Sequence, residues 1–158
     1  MIFLIAAVLV ALDQLTKVLA VSFLKGQPSF VLWEGVFQLT YVTNKGAAFS
    51  ILQNHRWVFI VVSLLAMAVL TWMLARKMFH GGLLLTSLCL ILAGGVGNLI
   101  DRIALGYVVD FFDFCLINFA IFNVADVFIS CGAVGLCLTV LLNKGGFVKE
   151  KLPARFRK

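Results

Sequence analysis

Four long apolar runs, set apart by shorter stretches that hold nearly all the charge, divide this chain into spans of about 2–23, 57–74, 83–103 and 123–142. Each is long enough to cross a hydrocarbon core of roughly 30 Å as a helix. An even number of crossings leaves both termini on one side. The period changes between the first two spans. Phe37-Gln38-Leu39-Thr40-Tyr41-Val42-Thr43 partly alternates and is rich in aromatic and β-branched residues, and Asn44-Lys45-Gly46 supplies a turn after it. The pattern predicts an all-α integral membrane fold: a four-transmembrane-helix bundle with a small extracytoplasmic β-sheet segment between helices 1 and 2, within about 25–56. The aromatic side chains of that segment, with Trp33 and Trp57, suit the membrane-water interface. Its sheet edge could serve as a platform for an extended peptide, or only as a lid anchored on headgroups.

Composition agrees with the pattern. The 158 residues are 63% hydrophobic and 13% charged, with a mean hydropathy of +1.09, too apolar for a soluble protein and too short for several domains. One integral membrane domain over 1–158 is expected. Six basic residues lie in the tail of about 143–158, and Arg76 and Lys77 lie in the second turn, so eight of thirteen Lys and Arg face one compartment. By the positive-inside rule that compartment is the cytoplasm, which puts both termini there and segment 25–56 outside. The net charge of +6 therefore reports topology and attraction to anionic membrane lipids. No nucleic-acid partner is expected, because the basic residues flank spans and show no base-stacking pattern. The first span contains Val18-Leu19-Ala20, a passable cleavage pattern, but Asp13 and Lys17 interrupt it and no basic segment precedes it, so a permanent span is expected.

The polar residues inside the apolar runs carry the candidate chemistry. A charge at bilayer depth costs on the order of 3 kcal/mol, so such groups face a bundle interior, find partners and mark sites. Asp13 and Lys17, at i and i+4, share a helix face and can neutralise one another as a structural pair or wall a site. In the third span Ala93, Gly94, Gly95 and Gly97 permit close helix approach, and Asn98 can hydrogen-bond across the contact. Asn98 precedes Asp101 by three residues and Asn123 precedes Asp126 by three, one helical face each. Topology brings Asp101, Asp110, Asp113 and Asp126 to the outer surface, with only Asp13 away from that cluster. The apolar connection from Asp110 to Asp126 can dip back and bring those two together, while Arg102 neutralises part of the cluster. A carboxylate dyad, proton or cation transport, and structural hydrogen bonding all remain open on these residues. A metal-dependent lipid-headgroup transferase would instead use the acids as ligands. The sulfur and imidazole groups suggest no metal or redox centre: the four cysteines lack paired spacing, and His55 and His80 fall at opposite ends of the second span. No serine shares a side with a histidine and an acid.

Five ordered blocks carry a resemblance: Asp13-Gln14-Leu15-Thr16-Lys17, Thr43-Asn44-Lys45-Gly46-Ala47-Ala48-Phe49, Gly94-Gly95-Val96-Gly97-Asn98-Leu99-Ile100-Asp101-Arg102, Val108-Val109-Asp110-Phe111 and Phe122-Asn123-Val124-Ala125-Asp126. Together they resemble the bacterial lipoprotein signal peptidase family, the type II signal peptidases, over the length from the first helix to the last. The resemblance implies an intramembrane aspartic endopeptidase that removes the signal peptide from diacylglyceryl-modified prolipoproteins, cutting just before the lipidated cysteine. It implies a place in the bacterial cytoplasmic membrane with the site near the outer face, no metal, no cofactor, and action as a monomer. Asp110 and Asp126 match the family's catalytic pair. Asn44, Gly46, Asn98, Arg102, Asn123 and Ala125 match positions that hold substrate or the dyad, and Asp13 and Lys17 match a supporting pair. Val127 departs from the pattern, since many relatives place a small polar residue there. The chemistry is consistent: two carboxylates about 3 Å apart share a proton, so one can activate water while the other polarises a carbonyl.

Overall fold

The computed structural model describes residues 1–46 and 56–142. Residues 47–55, with His55, and the basic tail 143–158 therefore lie outside the described residues. The element order is α1 (Ile2–Leu24), β1 (Phe30–Trp33), β2 (Phe37–Asn44), α2 (Arg56–Ala75), α3 (Gly82–Ala104), β3 (Val108–Asp113), a 3-10 turn (Cys115–Ile117) and α4 (Val124–Leu142). Four helices are long and apolar enough to cross a membrane: Ile2–Leu24, Trp57–Ala75, Gly82–Ala104 and Val124–Leu142. A helix satisfies its own backbone hydrogen bonds, which is why apolar runs in lipid fold this way.

The third helix is the centre of the bundle. α3 packs against α1, α2 and α4, and more than half of it is buried, against about a fifth or less for the others. Its glycines set the distances. A Cβ at Gly94 would strike the carbonyl oxygen of Ala125 on α4, and one at Gly95 would strike the Met67 sulfur on α2. On α4, a Cβ at Gly132 would lie 2.7 Å from the Ser87 carbonyl oxygen. Backbone-to-backbone approach thus replaces the large side-chain interface of a soluble core, because lipid offers no hydrophobic drive between helices. A cluster around Ala6, Leu74, Leu84, Leu88, Leu92 and Ala93 fills the remaining space.

A three-stranded antiparallel sheet, in the order β1-β2-β3, caps one end. The β1–β2 hairpin turns at Gly35, whose φ of +68° suits glycine, with the Val36 N–H donating to the Trp33 carbonyl at 3.0 Å. The third strand comes from after α3 and completes the segment between α1 and α2. Val42 pairs with Asp110, Thr43 with Val109 and Asn44 with Val108. Strand formation follows from Tyr107 to Phe112, a run of β-branched and aromatic residues broken only by Asp110. Ala20 of α1 packs with Val109 and Phe111, which seats the sheet on the C-terminal part of α1. Phe122 bridges to Phe112 and closes part of the far edge of β3, so the connection to α4 folds back along the strand.

Gly132→Ala should lower the thermal midpoint of the purified chain in detergent by an amount equivalent to about 1–3 kcal/mol, since an added methyl meets backbone on α3. An unchanged midpoint by scanning fluorimetry would show that α3 and α4 have room there.

Candidate active site

The start of α4 builds half of the site. Asn123 stands just before the helix as its cap: its Oδ1 accepts the Asp126 N–H at 3.0 Å, and its own N–H donates to Asp126 Oδ2 at 3.1 Å. This reciprocal pair satisfies two backbone donors, as a capping box does. A third donor of the first turn, the Ala125 N–H, donates to Asp13 Oδ1 on α1 at 2.9 Å. Asp126 is thereby held by the same bonds that begin its helix.

The strand β3 builds the other half. Asp110, buried, receives the Asn44 side-chain amide on Oδ2 at 3.0 Å and the Asn123 side-chain amide on Oδ1 at 2.6 Å. Asn44 is oriented in turn by accepting the Gly46 N–H at 3.0 Å. Asn98 on α3 donates to Asp126 Oδ1 at 2.8 Å and accepts from Asn123 at 3.1 Å. Asn123 therefore touches both acids, through its backbone to one and its side chain to the other. Both carboxylates open onto a cavity of 470 Å³, whose polar wall includes Asn44, Asn98 and Arg102 and whose apolar wall includes Val108, Phe122 and Val127.

Burial pushes the Asp110 carboxyl from an ordinary 3.8 up to about 6; the amides of Asn44 and Asn123 and the charge of Lys17 pull it down, and the charge of Asp126 pushes it up. Such a group exchanges a proton near neutrality, which an acid-base site needs.

Every candidate from the sequence among Asn44, Gly46, Asn98, Asn123, Ala125, Asp110 and Asp126 falls in this one network. Two expectations change, those for Asp13 and Asp113. Asp13 does not lie away from the cluster; its carboxylate reaches the first turn of α4, because α1 packs against that turn through the gap left by Gly97. Arg102 forms no ion pair among the described residues: its guanidinium donates to the carbonyls of Asn98 and Gly46, both at 3.3 Å, and sits 5.5 Å over the Phe59 ring. Its charge still acts on Asp126, Asp110 and Asp101, as expected, while the direct ion pairs belong to Lys17, at 3.0 Å from Asp13 and 3.1 Å from Asp101. Asp113 is outside the site as well, at the far end of β3, where it accepts from Gln38 at 2.7 Å and Thr40 at 3.2 Å. Gln14, not expected from the pattern, bridges Asp13 at 3.2 Å and Asp101 at 3.0 Å. The available signal is its place in the block Asp13-Gln14-Leu15-Thr16-Lys17.

A family model described as signal peptidase (SPase) II matches residues 5–142. The chain is 47% identical over 139 residues to a lipoprotein signal peptidase of Clostridioides difficile (strain 630), covering 87% of this chain and 93% of that protein. It is 46% identical over 144 residues to a lipoprotein signal peptidase of Brevibacillus brevis, covering 89% and 95%. Among solved structures, a bacterial membrane enzyme determined at 2.3 Å superposes with a TM-score of 0.82 at 29% identity, covering 89% of this chain and 87% of that one. Another at 1.9 Å gives 0.78 at 30% identity, covering 91% and 94%.

The raised Asp110 carboxyl fixes the sign of a pH effect. Between 3.8 and about 6 the folded chain holds a proton at Asp110 that the unfolded chain has released, so stability from this group is present below about 4 and lost as pH rises through about 6. The thermal midpoint in detergent should fall across that window in the native chain and fall less steeply in Asp110→Asn. Equal slopes would show that Asp110 does not carry the effect.

Proposed function

The chain belongs to the signal peptidase II family, a family of aspartic peptidases, and we propose that Asp110 and Asp126 are its catalytic dyad, acting on diacylglyceryl-modified prolipoproteins. The observation that carries this reading is Asn123, one buried residue bonded to both acids, which themselves line one cavity. The charge of Asp126 raises the Asp110 carboxyl, and two acids coupled in this way share a proton and titrate as a unit.

The chemistry follows from that shared proton. The ionised member takes a proton from a water as its oxygen attacks the scissile carbonyl carbon, and the neutral member gives its proton to the carbonyl oxygen. Collapse of the tetrahedral intermediate breaks the C–N bond, with the proton taken from water passing to the leaving amine. The second proton returns from the hydroxyl, and the dyad again holds one. No metal takes part in this sequence. Asn44, Asn98 and Asn123 hold the acids in place, while Arg102, tied to the Gly46 carbonyl, lines the cavity beside them.

Cleavage falls immediately before the lipidated cysteine in this reading. The cavity supports it by pairing a polar end at the dyad with apolar walls at Phe122, Val127 and Ile129. Val127 is exposed on the outside of α4, so the cavity opens sideways as well as outward. A signal helix enters laterally while its diacyl chains stay in the bilayer. The basic turn at Arg76 and Lys77 argues for both termini in the cytoplasm and the dyad near the extracytoplasmic face of the bacterial cytoplasmic membrane. Each chain carries a complete site, so a monomer suffices.

Incubating the purified chain with a prolipoprotein, with and without its diacylglyceryl group, and following the mass loss of the signal peptide tests this. Cleavage should need the lipid group and persist in chelator. Asp110→Asn and Asp126→Asn should each lose about a thousandfold in rate, the scale of general acid-base catalysis, while still inserting. Activity retained by either variant would remove the dyad, and loss with chelator would favour a metal site.

A further inference from the structure

Lys17 reaches the backbone on both sides of the site. Its ammonium contacts Asp13 Oδ2 at 3.0 Å, Asp101 Oδ2 at 3.1 Å and Asn98 Oδ1 at 2.9 Å. Three acceptors saturate its three donors. Asp13 then accepts the N–H of Ala125 at 2.9 Å, and Asp101 accepts the N–H of Val109 at 3.1 Å. Ala125 immediately precedes Asp126, and Val109 immediately precedes Asp110. One cation thus ties together two amides, on a helix and on a strand, each next to one of the two acids. The third contact reaches Asp126 through Asn98.

The same ammonium fixes the direction of the amide chain. It can only donate, so Asn98 must present oxygen to it and NH₂ to Asp126. Asn123 also donates to that oxygen, and turns its remaining amide hydrogen to Asp110. Both acids therefore receive donors, as carboxylates require.

We infer that Lys17, Asp13 and Asp101 form a buried positioning clamp that sets the separation of Asp110 and Asp126 by holding the backbone amide just before each. This rests on the proposed function, in which those two acids are the dyad. None of the three clamp residues lines the cavity, and each is no more than 3% exposed, so they act through the backbone and not on substrate. An ion pair serving only to join helices would have no reason to end on these two amides.

The test compares kcat and KM, per folded protein, for the native chain, Asp101→Ala, Asp101→Asn and Gly132→Ala with the diacylglyceryl prolipoprotein. Asp101→Ala should lose about a hundredfold in kcat with KM little changed, because a displacement of about 1 Å at reacting groups has that effect. Asp101→Asn keeps an oxygen for the Val109 N–H and should fall between the two; should the alanine variant fail to fold, this isosteric one carries the test through its own fall in kcat. Gly132→Ala, destabilised at a residue that packs on α3 and does not line the cavity, should keep its kcat. The inference is overturned if the asparagine variant, or the alanine variant where it folds, keeps native kcat. It is equally overturned if asparagine is no better than alanine or if Gly132→Ala loses as much. Cleavage by the native chain in the same assay belongs to the proposed function, so failure there is told apart from failure of the clamp.

Discussion

A lysine buried among four packed elements, facing two carboxylates and an amide, is the constraint around which this protein is arranged. In hydrocarbon neither charge tolerates being left alone, and an ion pair missing one partner is worse than none. Lys17 and Asp13 come from α1, Asp101 and Asn98 from α3, and their other bonds reach Val109 on β3 and Ala125 on α4. The placement of these elements satisfies all of these groups at once. Close approach is a condition for it, and Gly94 and Gly97 supply that by leaving room for Ala125 and Asp13. The small residues and the buried charges are therefore two parts of one requirement.

Much of this was legible in the sequence, and the limits have physical causes. Hydropathy gives the four helices directly, since length and apolarity are what a bilayer selects. The strand at 37–44 shows in its alternation and turn residues. The third strand was harder. Val108 to Asp113 lies in an apolar stretch between two spans, where low polarity reads equally as a connection dipping into the interface. Charge signs alone could not assign partners either. Arg102 stands next to Asp101 in sequence, yet its side chain turns to the carbonyls of Asn98 and Gly46, while Lys17, from a different helix, takes the acids. Asp13 lies in the middle of α1 by count, but the position of a helix along its neighbour is set by packing, which spacing does not reveal. The five ordered blocks were what singled out the residues of the network from other polar positions.

The site also shows how little apparatus separates folding from chemistry in a chain of this size. Asn123 caps a helix, and the same residue holds the two acids. Asn44 ends a strand, shapes the turn to Gly46 and donates to Asp110. Asp101 closes α3 while fixing the β3 backbone. Larger enzymes assign such duties to separate layers of residues. Here a bundle of four helices with a three-stranded cap has few interior positions to distribute, and the polar ones serve twice.

That double use at Asn123 bears on how the protein can escape a small molecule lodged in the cavity. An inhibitor that hydrogen-bonds the Asp126 carboxylate grips a group to which Asn123, and with it the beginning of α4, is bonded. A substitution there that blocks the compound also strips the helix of its first-turn partners, inside a solvent that offers no replacements. Resistance through that residue carries a folding penalty, whereas the lipid-facing wall at Val127 can change with no such loss. Compounds anchored on Asp126 and indifferent to the wall would leave the fewest routes of escape.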